Sequence, residues 1–145
     1  MERKEFLKTC GQLCFGGIIT GSVMSGCSGN YYAISSVSNN IISIKKSEFV
    51  ELKEGVSKPR KFVMVRNDKL NFPIAIYKLN DNTYSALLME CTHKSCELNP
   101  NGQYLICPCH GSEFNNLGKV QNPPAETDLT TFKLTHDDES IYIYL

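Results

Sequence analysis

An all-β fold is predicted for this chain, as a single domain of short antiparallel strands in a small sandwich or barrel. Short runs of Val, Ile, Tyr and Phe are separated by clusters of Asn, Asp, Gly and Pro, which is the pattern of strands joined by turns. No long apolar segment with a helical period follows residue 45. The length of 145 residues suits one domain.

The predicted strands follow one another from residue 41 to the last residue. Turn residues separate them, for example at positions 80–82 and at Asn101-Gly102, and an Asn-Gly pair is a strong signal for a β-hairpin. The last run alternates between Ile and Tyr, as expected for a strand whose two faces differ. The predicted strands cover residues 41–44, 62–66, 74–79, 84–90, 104–107, 131–135 and 141–145.

The charge balance argues against a nucleic-acid partner. Lys and Arg together number 15, and Asp and Glu together also number 15, so the net charge is zero. Proteins that bind nucleic acid usually carry a basic patch or stripe, which attracts the phosphates. We therefore expect no nucleic-acid binding.

The N-terminal segment, residues 1–26, is predicted to be an export signal or a membrane anchor. It begins with the charged string MERKEFLK, and no charged residue then occurs from Thr9 to Ile44. A charged start followed by a short apolar region rich in small residues is typical of an export signal. A retained transmembrane helix is the alternative, although a comfortable span needs about 20 mostly apolar residues.

Two short strings within this segment sharpen the prediction. Residues 24–27, M-S-G-C, resemble the lipobox of bacterial lipoproteins, in which the Cys becomes the lipidated first residue. Residues 3–8 resemble the twin-arginine export motif, with Lys in place of the second Arg. The resemblance implies lipidation at Cys27 and a location on the periplasmic face of a bacterial cytoplasmic membrane. The following residues, 27–40, are rich in Ser and Asn and are predicted to form a polar tether.

Most of the cysteines and histidines of the chain occur in two short loops, residues 91–96 and 107–112. Together these loops hold four of the seven cysteines and two of the three histidines. Two disulfides in an exported domain are one explanation. A structural zinc site is a second, but zinc takes four ligands and would leave two thiols free.

A third explanation uses all six residues. C-T-H-x-x-C followed by C-P-C-H-G-S resembles the two cluster-binding boxes of the high-potential Rieske proteins of cytochrome bc-type complexes. The resemblance implies one 2Fe-2S cluster, with two Cys on one iron and two His on the other. It also implies a disulfide between Cys96 and Cys109, which Rieske-type oxygenases lack. The implied ligands are Cys91 and Cys107 for the first iron, and His93 and His110 for the second.

The resemblance extends past the second box. Gly111, Ser112 and Phe114 fall in a G-S-x-F string, and residues 122–125 match a Pro-containing loop that covers the cluster in the family. The resemblance implies that Gly111 allows close approach of the backbone, that Ser112 donates to a bridging sulfide, and that Phe114 replaces a Tyr that bonds a ligand sulfur. The implied fold, over residues 41–145, is a Rieske-type antiparallel β-sandwich that carries a small cluster-binding subdomain.

The same resemblance implies an electron-transfer function. We expect a subunit of a membrane respiratory complex that accepts an electron and a proton from quinol and passes the electron to a b- or c-type cytochrome. The protein is not expected to catalyse a reaction alone. Two alternatives remain at this point: the small Rieske subunit of an exported molybdenum oxidoreductase, such as one acting on arsenite, and a stand-alone electron carrier.

Overall fold

The computed structural model describes residues 30–145, and this part of the chain is built from β-strands. It contains a short 3-10 turn, Lys46–Phe49, and no α-helix, which confirms the predicted all-β fold. The predicted signal segment and Cys27 lie outside the described residues. The strands are β1 Ser35–Ser38, β2 Ile41–Lys45, β3 Val50–Lys53, β4 Val56–Pro59, β5 Phe62–Val65, β6 Ile74–Asn80, β7 Thr83–Leu88, β8 Asn99–Asn101, β9 Tyr104–Ile106, β10 Glu113–Asn115, β11 Val120–Asn122, β12 Lys133–His136 and β13 Ser140–Tyr144.

The strands form three antiparallel sheets and one separate hairpin. The base sheet has the strand order β1-β2-β13-β12, and the middle sheet has the order β5-β6-β7. A third sheet, which we name the cluster sheet, has the order β11-β10-β9-β8. The hairpin β3-β4 pairs with no other strand of the described residues.

The middle sheet is buried on both faces, as its central strand shows. In β6, Ile74 and Ile76 belong to the hydrophobic core shared with the base sheet, whereas Ala75 and Tyr77 belong to the core shared with the cluster sheet. Successive side chains of a strand point to opposite faces, so a strand between two cores is apolar at every position. Each fully buried Ile contributes about 1.5–3 kcal/mol relative to an exposed one. The continuous run I-A-I-Y thus places a rigid layer beneath the cluster sheet.

All seven predicted strands are present, with shifted ends. The run predicted at 84–90 ends at Leu88, where the main chain turns toward the first loop, and the run predicted at 131–135 begins at Lys133. The remaining strands were not predicted because they are short and polar. They are β1, β3, β4, β8, β10 and β11.

The polar segment before residue 41 is more than a tether. Tyr32 forms a bridge with Met64 of β5, and Ser35–Ser38 pairs along its whole length with β2. A strand needs only main-chain partners, so a Ser-rich sequence can pair at a sheet edge without an apolar face. The expected tether over residues 27–40 is therefore wrong for its second half, which belongs to the folded domain. No helical segment within residues 30–145 has the length and apolarity that a bilayer crossing requires.

Candidate metal centre

The two Cys- and His-bearing loops occupy equivalent places in the fold. The first loop, residues 91–96, lies between Glu90 and Glu97, which face each other in an antiparallel bridge. The second loop, residues 107–112, connects β9 to β10, whose facing ends also form an antiparallel pair. Each loop therefore replaces the turn of a hairpin with six residues. Between the loops, the predicted hairpin at Asn101-Gly102 joins β8 to β9.

The two loops also share their main-chain hydrogen bonds. In the first loop, the N–H of Cys91 donates to the carbonyl of Cys96 at 2.9 Å. In the second, the N–H of Cys107 donates to the carbonyl of Ser112 at 2.8 Å. The first and last residues of each loop are thus held together, so the intervening side chains project from a closed ring of backbone.

The fifth residue of each loop has a left-handed backbone. Ser95 has φ +52° and Gly111 has φ +78°, and each donates its N–H to the carbonyl of the first residue of its loop. Glycine adopts this conformation without strain, whereas other residues adopt it at a cost. A Cβ on Gly111 would meet no protein atom within 4 Å, so its conformation is what the protein requires of this glycine. Close approach of its backbone to a cluster stays a prediction.

The loops are joined by the implied disulfide. Cys96 and Cys109 form a bond of 2.03 Å, with their Cα atoms 6.5 Å apart. The sulfurs of Cys96, Cys107 and Cys109 lie within 4.8 Å of one another, which is close enough for a shared metal. Two of them are bonded to each other, however, and a thiolate is the form of sulfur that binds metal. Of these three residues, only Cys107 can supply one.

The free cysteines within residues 30–145 are Cys91 and Cys107, and both are buried. Burial raises the pKa of the Cys91 thiol, and the neighbouring Cys107 raises it further. The main-chain N–H groups of His93 and Lys94 donate to the Cys91 sulfur and lower this pKa in opposition. Such N–H groups stabilise a thiolate, which is the state that a metal ion also favours.

The two histidines of the loops face each other. The rings of His93 and His110 lie with their centroids 5.0 Å apart and their planes at 83°. The Nδ1 atom of His93 is buried and has no hydrogen-bond partner, and no other buried side-chain nitrogen or oxygen within residues 30–145 shares this condition. Leaving such an atom unpaired costs about 1–3 kcal/mol. A metal ion would satisfy it, so the donor set fits a centre with two sulfur and two nitrogen ligands.

The Pro-containing loop, residues 122–125, is hydrogen-bonded to the second of these loops. The side chain of Asn122 donates to the carbonyl of Gly111 at 3.3 Å. Just beyond it, the carbonyl of Thr127 accepts from the hydroxyl of Thr92 in the first loop at 2.7 Å. Three separate segments of the chain are thereby fixed around one site.

Ser112 has a specific hydrogen-bond partner in the Pro-containing loop. Its buried hydroxyl oxygen accepts a hydrogen bond from the N–H of Ala125 at 2.9 Å. A hydroxyl that accepts through its oxygen still has its own proton to donate. This arrangement leaves the Ser112 O–H available for an acceptor inside the site, as the resemblance implies. The adjoining peptide bond between Pro123 and Pro124 is cis.

Phe114 lies in the core beneath the loops. It is fully buried on β10 and belongs to the same hydrophobic core as Cys91, Cys107 and Ala125. Tyr77 of β6 is packed in this core as well, and its hydroxyl donates to the carbonyl of Tyr104. Burial raises the pKa of Tyr77 far above its usual range, so the phenol stays neutral.

Sequence reasoning missed the polar residues that hold the Pro-containing loop in place. Asp128 accepts from the ammonium of Lys119 at 2.7 Å and from the N–H of Val120 at 3.0 Å. The hydrogen bond from Lys119 is the main reason that the pKa of the Asp128 carboxyl is lowered. Neither Thr92 nor Asn122 was predicted to make its hydrogen bond across the site. Polar residues of this kind occur in every loop, and their sequence carries no signal for a distant partner.

Comparison with known proteins decides the family. Residues 46–133 match the Rieske [2Fe-2S] domain family, which is more than half of the chain. The chain belongs to this family. Rieske proteins transfer electrons through a 2Fe-2S cluster, and the disulfide between the loops matches the implied high-potential type.

Relatives of this Rieske protein include iron-sulfur subunits of cytochrome b6-f complexes. The iron-sulfur subunit of the cytochrome b6-f complex of Synechococcus elongatus is 30% identical over 98% of this chain and 84% of the relative. The chloroplastic subunit of Nicotiana tabacum is 29% identical over 93% of this chain and 58% of the relative. Among solved structures, the plasma membrane Rieske protein PetC3 of Synechocystis PCC 6803 has a TM-score of 0.53 at 30% identity, over 59% of this chain and 87% of that protein. The chain is thus an electron-transfer protein related to b6-f iron-sulfur subunits.

Proposed function

We propose that this Rieske protein is the electron-transfer subunit of a membrane complex that oxidises quinol. It accepts an electron and a proton from quinol and passes the electron to a cytochrome. The observation that carries this proposal is the similarity to a b6-f iron-sulfur subunit across 84% of that relative. No feature of the described residues favours a molybdenum enzyme as the partner, and the similarity to b6-f subunits favours a cytochrome.

The ligand assignment is part of the proposal. Cys91 and Cys107 bind one iron, since they are the free and buried cysteines of the site. His93 and His110 bind the other iron, and the unpaired Nδ1 of His93 supports this assignment. Two thiolates and two neutral imidazoles give the oxidised cluster no net charge, which makes it easier to reduce than a cluster with four thiolates.

The histidines also provide the proton site. Binding through Nδ1 leaves Nε2 of the same ring free to hold a proton or release it. His110 is exposed and His93 is half-buried, so a proton at either ring can exchange with solvent or with a reactant. Because ferric iron makes this proton easier to lose, the reduction potential should depend on pH.

Membrane attachment is also proposed. Residues 1–26 serve as the export signal, and Cys27 carries a lipid that holds the protein on the periplasmic face of a bacterial cytoplasmic membrane. An N-terminal helix is the alternative anchor. The Cys at the end of an apolar, Gly-rich segment supports the lipid.

Electron paramagnetic resonance (EPR) of the reduced, full-length protein in its native membranes tests this function. We expect a Rieske-type signal whose line shape changes when a quinone analogue is added, and a midpoint potential that falls as pH rises. A Rieske signal that ignores the quinone analogue would contradict the quinol substrate and leave the cluster assignment intact. Absence of a Rieske signal from the loaded protein would contradict the cluster assignment itself.

A further inference from the structure

The Pro-containing loop belongs to a longer segment, residues 120–128, whose two ends meet. The Oδ1 atom of Asp128 accepts from the N–H of Val120 at 3.0 Å, and its Oδ2 atom accepts from the ammonium of Lys119 at 2.7 Å. The next residue, Leu129, is buried and donates its N–H to the carbonyl of Gly118 at 2.8 Å. We name the contact of Asp128 with Val120 and Lys119 the neck of this segment.

The neck is closed by a side chain, whereas each of the two cluster loops is closed by a main-chain hydrogen bond. Val120 lies on β11, which has a neighbouring strand on one side only within the described residues. An N–H on the open side of such an edge strand lacks a strand partner. Asp128 supplies the acceptor for Val120. The residue type at position 128 therefore decides whether this segment is closed.

Between its two ends, the segment reaches both cluster loops. The buried Ala125 donates its N–H to the hydroxyl oxygen of Ser112 in the second loop at 2.9 Å. The carbonyl of Thr127, the residue before Asp128, accepts from the hydroxyl of Thr92 in the first loop at 2.7 Å. The position of the Ala125 N–H thus depends on a segment that Asp128 closes.

The Ala125 N–H in turn acts on the hydroxyl of Ser112. A hydroxyl rotates about its C–O bond, and a hydrogen bond accepted by its oxygen limits the directions in which its own proton can point. In Ser112 the bond from Ala125 sets this limit. Hydrogen bonds to the sulfurs of an iron–sulfur cluster help to set its reduction potential. Whatever fixes the N–H of Ala125 therefore acts on the potential through Ser112.

The two hydrogen bonds of the neck differ in what they contribute. The side chains of Lys119 and Asp128 are 64% and 45% exposed, and an exposed ion pair contributes little to stability. The bond from Val120 satisfies a main-chain donor, which any acceptor oxygen at the same place could do. An Asn at position 128 should therefore preserve the neck, whereas an Ala should open it.

We propose that Asp128 is a positioning residue for the cluster: it holds the N–H of Ala125 on Ser112 and thereby keeps the Ser112 hydroxyl directed at a cluster sulfur. This proposal rests on the proposed function, which assigns the cluster to this site. Removing Asp128 has two effects of opposite sign. The loss of a negative charge raises the potential, but this charge is exposed and screened by solvent. The loss of the Ser112 hydrogen bond lowers the potential and is expected to dominate.

Protein-film voltammetry of the full-length, cluster-loaded variants tests this role. Asp128→Ala should shift the reduction equilibrium at least threefold toward the oxidised cluster, which corresponds to about 30 mV at 59 mV per tenfold change. Asp128→Asn should restore most of this shift. The matched control is Asp81→Ala, which removes an exposed carboxylate that pairs with Lys78 at 3.1 Å on the turn between β6 and β7. We expect no shift in the control.

A double-mutant cycle separates positioning from a general loss of order. In the Ser112→Ala background, adding Asp128→Ala should change the reduction equilibrium little, because the route through the hydroxyl is already absent. An equal shift in both backgrounds would overturn the proposal. A raised potential in Asp128→Ala would also overturn it, since that sign belongs to the lost charge alone.

Hydrogen exchange provides a readout that does not depend on the potential. Mass spectrometry with fragmentation of the labelled peptides should show the Ala125 N–H exchanging at least tenfold faster in Asp128→Ala than in the original protein, and at a near-original rate in Asp128→Asn. Unchanged exchange in Asp128→Ala would overturn the neck as the support of Ala125. Absence of a Rieske EPR signal from the original protein would contradict the cluster assignment instead, and the exchange rates would still decide whether Asp128 holds Ala125.

Discussion

The two cluster loops have the same backbone and different tasks. Both contain six residues, and in both the first N–H is bonded to the last carbonyl. Their last residues differ: Cys96 leaves its loop through the disulfide, whereas Ser112 is fully buried and accepts from Ala125. The last position of the first loop thus forms a covalent link to the second loop, and the last position of the second loop forms a hydrogen bond to the Pro-containing loop.

The interior positions of the loops differ in the same way. The third residue is His93 in the first loop and Cys109 in the second, and the second loop carries its histidine one position later, at His110. The disulfide consequently joins non-equivalent positions, the last of one loop and the third of the other. Position in the backbone therefore divides the four cysteines of the loops, because Cys96 and Cys109 form the disulfide whereas Cys91 and Cys107 stay free.

The largest expected effect separates ligands from cross-link. His93→Ala or His110→Ala should abolish the Rieske EPR signal, because each removes a proposed iron ligand. The double variant Cys96→Ser with Cys109→Ser should retain part of the signal at a lower potential. EPR of the three freshly loaded proteins checks this, with His136→Ala as the control for a histidine outside the loops. If the double variant and the His variants behave alike, the division of roles is wrong.

The disulfide itself should produce the next effect. The bridged residues are 13 positions apart, and a cross-link that closes a loop of this size stabilises a protein by about 3 kcal/mol. Chemical denaturation of the cluster-free proteins should show the double Ser variant less stable by roughly that amount. A loss below about 1 kcal/mol would mean that the loops are held mainly by their hydrogen bonds.

The fifth positions of the loops offer a matched pair of substitutions. Gly111→Ala should cost about 1–2 kcal/mol in unfolding free energy, since alanine is strained at a φ of +78°. Ser95→Gly should change stability little, because relief of the same strain is offset by the greater freedom of glycine in the unfolded chain. Urea denaturation of both variants checks the contrast. Equal losses of unfolding free energy in the two variants would contradict the expected contrast.

The smallest expected effect concerns Phe114. Phe114→Tyr should raise the midpoint potential by roughly 40 mV, as a hydrogen bond worth about 1 kcal/mol more to the reduced cluster would do. Ser112→Ala should lower it by at least as much, because it removes a hydroxyl that the structure leaves free to donate. Protein-film voltammetry measures both. An unchanged or lowered potential in Phe114→Tyr would mean that the ring edge does not face a cluster sulfur.

Much of the site was predictable because metal chemistry is selective about residue type. Cys and His at short spacing are rare outside metal or disulfide sites, and the two boxes are enough to identify the six residues from the sequence. The hydrophobic runs predicted β5, β6 and β7 for a similar reason, since buried strands need apolar side chains at fixed intervals. The edge strand Ser35–Ser38 escaped prediction because main-chain pairing imposes no such pattern.

The sequence by itself determined the fold class, the ligand types and the family, since each depends on residues that are close along the chain. The tertiary structure decided what depends on distant pairs. Thr92 meets Thr127 across 35 positions, Asn122 meets Gly111 across 11, and Tyr31 meets Glu48 across 17. A common polar residue has many possible partners of similar energy, and only the packed chain selects one. For the same reason, the contacts that fix Tyr31 to the folded domain emerged only from the tertiary structure.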